Sequence, residues 1–369
     1  MTARGTFALR PASTERGGAV AQSPHGRPTV SVVVPTYNYA RYLPDAVGSV
    51  LSQKHVEVEV IVVDDHSTDD SLAVARRLAA GDDRVRVIAR PANAGPVATF
   101  NAGLAEAHGE FLVRLDADDA LTPGSLARAV ALLQRHPEVG LVYGHPVHFE
   151  GDLPTTARER VTEWVIWKGA DWLESRCRLG TNCITSPEVV MRSSVVAEVG
   201  GQRDLAHTHD MEMWFRIARA SDVAWVAGVD QAWHREHAAS LSAREVGVMT
   251  EFSERAAAFE TLLTDGVGDS EEAARLLGLA HRALANEALV RTTQAYSAGR
   301  GDTEETAAYL AFARTMTDDL AALPRGRAAE RAIRLGRSRA RFSPSLFAAA
   351  VSHRIELVTG RARWRARGI

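Results

Sequence analysis

Two hydrophobic periods alternate along the first part of the chain. Residues 29–35 (TVSVVVP), 58–65 (VEVIVVDD), 84–89 (RVRVIA), 110–115 (EFLVRL) and 140–149 (GLVYGHPVHF) are short runs rich in apolar and β-branched residues, the mark of buried strands. Between them the apolar positions take helical spacing. Leu43, Ala46, Val47, Val50 and Leu51 form one stripe, and Leu72, Ala75 and Leu78 form another behind the cap candidates Ser67 to Asp70. Residues 97–108 make a third helix, and Pro123 is placed to open a fourth. Strand and helix thus alternate about every 25 residues from 29 to 149, which predicts a mostly parallel sheet with helices on both faces.

Residues 151–243 alternate less cleanly and are rich in tryptophan (Trp164, Trp167, Trp172, Trp214, Trp225, Trp233). From Arg244 the pattern is helical, with Val246, Met249, Phe252, Ala256, Phe259 and Leu263 in one stripe. Ser270 and Asp302 read as N-caps of two further helices. The first 28 residues scatter Arg, Gly, Pro and Ser without a continuous apolar run, so a disordered leader is expected there and not a signal peptide. Four segments result: 1–28, 29–150, 151–243 and 244–369.

The formal net charge of −3 makes no global case for nucleic acid, but it hides an asymmetry. Residues 325–369 carry 12 arginines against Glu330 and Glu356. Such a tail is either a solvated basic face or an attachment to anionic lipid, and residues 343–358 (SPSLFAAAVSHRIELV) could lie in that interface as an amphipathic helix. The only cysteines, Cys177 and Cys183, form no C-x-x-C pair, so neither a disulfide framework nor a zinc knuckle is suggested. No apolar run reaches the ~18 residues of a membrane span. The expected location is the cytoplasm, with attachment to the inner membrane face as the reading the basic tail opens.

Candidate chemistry gathers where the strands end. The segments Pro35-Thr36-Tyr37-Asn38, Asp64-Asp65, Pro91-Ala92-Asn93 and Asp116 to Asp119 all follow strands, and in open parallel sheets ligands bind beyond the carboxyl ends. Asp116, Asp118 and Asp119 crowd three carboxylates into four positions, a repulsion that a divalent cation bound by oxygens removes. A solvated turn that caps the next helix is the plain alternative, and Asp119 has the best claim to that role. No G-x-G-x-x-G follows the first strand and no G-x-x-x-x-G-K occurs, so the two common phosphate-binding loops are excluded.

Four segments in order, residues 30–53, 59–71, 93–126 and 209–218, resemble those of the family 2 glycosyltransferases, which are inverting enzymes of the GT-A fold. The resemblance covers about residues 29–242. It implies an α/β fold of GT-A type, with a mostly parallel Rossmann-like sheet flanked by helices and, here, a helical C-terminal extension. It implies a nucleotide-sugar-binding half at 29–150 and an acceptor-binding half at 151–243. Asp116-Ala117-Asp118 resembles the family's D-x-D, which holds Mn²⁺ or Mg²⁺ under a nucleotide-sugar diphosphate. Asp118 is favoured as direct ligand, with Asp116 nearer the ribose or as a second ligand.

By the same resemblance Pro35, Tyr37, Asn38, Asp64, Asp65, Asn93, Gly95 and Asn101 receive the nucleotide-sugar. Phe100 stands where the family often has Arg, which removes a basic diphosphate contact from that helix. Asp210 matches the catalytic base, with His209 where the family often has Glu. Residues 233–242 (WHREHAASLS) resemble the downstream family segment, in which Arg235 would approach the diphosphate and His237 the metal or phosphate. Glu212 and Arg216 read as a surface or supporting ion pair. The activity implied is metal-dependent, inverting transfer of a sugar from a nucleotide donor, UDP favoured, to a hydroxyl acceptor that could be lipid-linked. A nucleotidyltransferase and a catalytically degenerate sugar-binding scaffold are the alternatives. PTYNYARYL lacks the Gly-rich basic loop of the first, and retention of Asp118 and Asp210 argues against the second.

Overall fold

The computed structural model describes residues 9–237 and 247–369. They form two compact units, one from 9–173 with 183–237, the other mainly from 174–182 with 247–367.

The first unit is built on one sheet, ordered β1-β8-β10-β7-β9-β5-β2-β3-β4, with β6 paired to β10. Its centre is β2 (Thr29–Thr36), parallel to β3 (Glu57–Asp64) and β5 (Phe111–Arg114), with β4 (Val85–Ala89) parallel to β3 beyond. β7 (Val139–Phe149) and β10 (Asp222–Arg235) are parallel to each other, and β9 (Val190–Arg192) joins them to β5 antiparallel on both sides. Through β9, therefore, β4, β3, β2, β5, β7 and β10 all point the same way. β6 (Ala120–Leu121) and β8 (Glu163–Trp167) run against them.

The five strands expected from periodicity are present within a residue or two of their expected bounds. Val30, Val32, Val33 and Val34 of β2 and Val60, Ile61, Val62 and Val63 of β3 are all buried, because helices cover both faces of a parallel sheet. Those helices include α1 (Leu43–Leu51), α2 (Ser71–Gly81), α3 (Gly95–Leu104) and α4 (Ser125–Arg135). α3 lies so close to the sheet that a Cβ at Gly103 would overlap Val33 and Val63. Between residues 150 and 237 follow α5 (Gly169–Leu179), α6 (Ser193–Val199) and α7 (His209–Ala220).

Two expectations change. Within the leader, Ser13–Arg16 is a strand, β1, paired antiparallel to β8, and Val20 is buried in the core. A free edge of β8 offers unpaired backbone groups that a short polar segment can satisfy without any apolar pattern of its own. Residues 1–8 lie outside the described residues. The irregular stretch 151–243 hides three strands of the sheet, β8, β9 and β10, whose tryptophans Trp164, Trp167 and Trp225 are core residues.

The second unit is helical: α8 (Val248–Leu263), α9 (Ser270–Ser297), α10 (Glu304–Met316), α11 (Gly326–Ala340) and α12 (Pro344–Arg367). Phe252, Ala256, Phe259 and Leu263 are buried as the stripe requires, while Val246 lies outside the described residues. The caps sit one residue from their expected places. Asp269 accepts from the N–H groups of Glu271 and Glu272, and Asp302 yields to Thr303, which accepts from Thr306. No described helix is long and apolar enough to cross a membrane.

Candidate active site

β2 ends at Thr36, directly beside Asp64 at the end of β3. The side-chain oxygen of Thr36 and Oδ1 of Asp64 are buried without a hydrogen-bond partner, whereas Asp64 Oδ2 accepts from the Ser67 N–H at 3.1 Å. Two orphaned polar atoms at one strand edge are costly unless a ligand completes them. Tyr37, next in the chain, is 43 % exposed and available at that edge.

Asp65 points elsewhere. It accepts from the N–H groups of Ala94 (3.0 Å) and Gly95 (2.8 Å) and faces Arg90 at 3.4 Å. It thus caps α3, a role that a two-acid strand end leaves open in the sequence. Gly95 carries φ +83°, so its place in the cap turn favours glycine. Asn38, with φ 60°, ties two loops together: its side-chain Oδ1 accepts from the Thr68 N–H at 2.8 Å. Asn93 is exposed just before α3, and Pro35 is buried in β2.

The acid cluster follows β5, and its members separate by partner. Arg114, a charge buried in an otherwise apolar strand, holds Asp116 through both terminal nitrogens (2.7 and 3.0 Å) and also donates to the Ser186 hydroxyl at 3.2 Å. Asp118 lies 2.9 Å from Nε2 of His237, which comes from beyond the far end of β10. Burial first, and then the Asp116 charge, push the Asp118 carboxyl up, partly opposed by His237. Burial, and then the Asp118 and Asp116 charges, likewise hold the Tyr39 phenol up. Tyr39 and Tyr42 also flank the His237 ring, with centroids at 6.0 and 5.2 Å.

Asp119 does not cap the next helix, as the sequence suggests it would. It accepts from the Arg235 N–H (2.9 Å) and from His234 (3.1 Å), and so fastens β10 to the acid loop. Burial raises its carboxyl to about 7; burial opposes the charge of His234, but Asp119 beside it raises that ring to about 9.

Two family-implied contacts are otherwise engaged. The Arg235 guanidinium is buried, donating to the carbonyls of Asp118 (3.0 Å) and Gly151 and to Asp45 (2.9 Å), between the rings of Tyr42 and Phe149. Such a guanidinium braces the loop, and a diphosphate would have to displace it. Asn101 uses both amide atoms on the backbone of Gln202, donating to its carbonyl and accepting from its N–H, each at 2.8 Å. It brackets the loop before α7, and both of its amide atoms are spent there.

Asp210 is half-buried in the first turn of α7, and Oδ1 accepts from the Met211 N–H at 2.6 Å. The neighbouring His209 ring is pushed down, first by burial and then by Arg114, while Asp210 and Asp116 act on it in the opposite sense. Glu212 and Arg216 are fully buried and not a surface pair: Arg216 binds Glu212 at 2.8 and 2.9 Å and donates to the carbonyls of Val199, Gly200 and Gly201. Glu212→Ala would strand that guanidinium, and a loss of about 3–5 kcal/mol of stability is expected in urea unfolding.

Comparison with known proteins bears on the family and the fold. Residues 31–197 match the family model described as Glycosyl transferase family 2. The chain carries a family 2 glycosyltransferase domain. An uncharacterised glycosyltransferase of Nostoc sp. is 44 % identical to it over 115 residues, 31 % of this chain and 35 % of the relative. The GalNAc(5)-diNAcBac-PP-undecaprenol beta-1,3-glucosyltransferase of Campylobacter jejuni is 40 % identical over 101 residues, 27 % of this chain and 33 % of that one. The chain thus spans about a third of each of these relatives. Among solved structures, S. aureus TarS in complex with UDP-GlcNAc aligns with a TM-score of 0.57 at 19 % identity, covering 85 % of this chain and 89 % of that one. The mannosyltransferase PcManGT of Pyrobaculum calidifontis, in complex with GDP-Man and Mn²⁺, aligns at 0.51 and 21 %, covering 86 % and 89 %. These likenesses show the fold, which is the GT-A type α/β class expected from the sequence.

Within the glycosyltransferase domain, sequence reasoning missed Arg114, Tyr39, Tyr42 and Glu188. Arg114 had a signal, an arginine inside a continuously apolar strand. Glu188 had none. It is buried, accepts from the N–H groups of Thr185 (2.6 Å) and Ser186 (3.0 Å), and burial raises its carboxyl.

Proposed function

We propose that the glycosyltransferase domain moves a sugar from a nucleotide-sugar donor to a hydroxyl acceptor by a single inverting displacement assisted by Mn²⁺ or Mg²⁺. The observation that carries the reading is the meeting of Asp118 and His237, 119 residues apart in the chain, at the strand edge that also presents Tyr37 and Asp64.

The donor set fits a divalent ion. No group of three or more His, Cys, Asp or Glu converges among the described residues, so Asp118 and His237, with Asp116 nearby, would leave most of the coordination to diphosphate and water. Mg²⁺ and Mn²⁺ sites in nucleotide enzymes are commonly built so, from one or two carboxylates plus phosphate oxygens. When bound, the ion supplies Lewis-acid neutralisation of charge on the departing diphosphate.

Around it the chain's own groups have separate tasks. Asp64 Oδ1 and Thr36, otherwise orphaned, accept from the nucleoside, and Tyr37 stacks on its base. A carboxylate acceptor suits the N3–H of uracil, which favours UDP. Asp116, fixed by Arg114, faces the ribose. Asp210 removes the acceptor proton as the hydroxyl attacks, since a neutral hydroxyl is a weak nucleophile. The likeness to a glucosyltransferase named for an undecaprenol-linked substrate supports a lipid-linked acceptor.

A panel of nucleotide sugars, each incubated with Mn²⁺, with Mg²⁺ and with chelator, tests the reading. Hydrolysis or transfer of a diphospho-sugar is expected with metal and is lost with chelator. Turnover unaffected by chelator would refute metal assistance, and inertness toward every donor would refute the activity.

A further inference from the structure

Helix α12 presents an apolar face that stays exposed among the described residues. Phe347, Val351, Ile355 and Val358 follow one another at intervals of four, four and three, so they form a single stripe. All four are exposed, Phe347 to 72 %, Ile355 to 58 % and Val358 to 60 %. The same helix packs through other positions: Leu346 is buried with Ala332, Ala340 and Tyr296. Phe342, just ahead of the helix, is 75 % exposed. Leaving this much contiguous apolar surface in water is unfavourable, and such patches mark interaction sites.

The charge around the stripe selects its occupant. At 100° per residue Arg354 and Arg361 fall beside it along the helix, while Glu356 lies on the opposite side, where Arg325 holds it at 2.6 Å. A second copy docking stripe to stripe would bring like charges together. Nucleic acid would satisfy the arginines but leave the phenylalanine and isoleucine in water. An anionic lipid surface satisfies both, with the aliphatic side chains at the acyl boundary and the guanidinium groups among acidic headgroups. The geometry excludes spanning: the stripe runs 12 residues, Phe347 to Val358, about 18 Å against a hydrocarbon core of ~30 Å.

We propose that α12 is an interfacial anchor, its Phe347–Val358 stripe lying in the headgroup region of an anionic lipid layer with Arg354 and Arg361 on its border. The inference goes beyond the sugar-transfer reading and is independent of it, since lipid binding needs neither donor nor metal.

The test is co-sedimentation of the full chain with vesicles of phosphatidylcholine alone or with about one third phosphatidylglycerol. Partition to acidic vesicles is expected to exceed that to neutral ones at least ~10-fold and to fall with added salt. Arg354→Glu with Arg361→Glu should weaken it by at least ~10-fold, as should Val351→Asp with Ile355→Asp. All four side chains are exposed, so circular dichroism and thermal midpoints of both variants should match the parent. Equal partition to the two vesicle types, or unchanged binding by either double variant, would overturn the proposal. So would a dimer without vesicle affinity that Val351→Asp with Ile355→Asp dissociates, because the stripe would then be a self-association surface.

Discussion

Asp210→Asn is expected to stop sugar transfer while leaving donor binding intact. The substitution keeps the size of the side chain and an oxygen for the Met211 N–H, so α7 retains its first-turn contact. What it removes is the basicity. General-base assistance is worth about 10²–10⁴ in rate, or roughly 3–5 kcal/mol of barrier. The stability cost is far smaller, because a half-buried carboxylate in a first helical turn contributes only about 0.3–1 kcal/mol through the helix dipole. Turnover should therefore fall by at least ~100-fold with an unfolding midpoint within a few degrees of the parent. Donor affinity, read by calorimetry with Mn²⁺, should be unchanged. Transfer at the parent rate would remove Asp210 from the mechanism.

Asp118→Asn tests the other half of the site. The carboxylate is buried beside His237 and Tyr39, and its ionised form is opposed by burial and by Asp116. A bound cation would reverse that balance, which is why the residue suits metal binding and is poorly explained as a solvated turn. The amide can still accept a hydrogen bond from His237 but is a much weaker ligand. The expected result is loss of the Mn²⁺-dependent part of nucleotide binding and a fall in transfer of ~10³-fold or more, matching the several kcal/mol a Lewis acid supplies. The fold should survive and even gain stability, since the variant no longer buries a charge next to Asp116. Undiminished manganese-linked nucleotide binding by this variant would end the metal assignment.

Residues such as Arg235 and Asn101 mark the boundary between motif and geometry. Both match family positions in sequence, yet the first spends its guanidinium on Asp118, Gly151 and Asp45, and the second spends its amide on Gln202. A motif records which residue types recur at a spacing and carries no count of which hydrogen bonds are already taken. Asp119 makes the same point. It sits among metal-type acids in the sequence, and in the fold it ties β10 to the loop through Arg235 and His234.

Periodicity alone determined the parallel half of the sheet, because strands buried on both faces must be continuously apolar and the helices between them must each show a stripe. It also determined that the acids fall at the carboxyl ends of strands, since residue order along an alternating pattern fixes which end each loop leaves from. Only the tertiary structure decided which acid does what. Asp64 keeps an open oxygen while Asp65 caps α3, and Asp118 meets His237 while Asp119 does not. It also decided that β1, β8, β9 and β10 complete the sheet and that Glu212–Arg216 is a buried clamp. These outcomes depend on partners distant in sequence, and the competition among neighbouring carboxylates for donors is resolved only when the chain has packed.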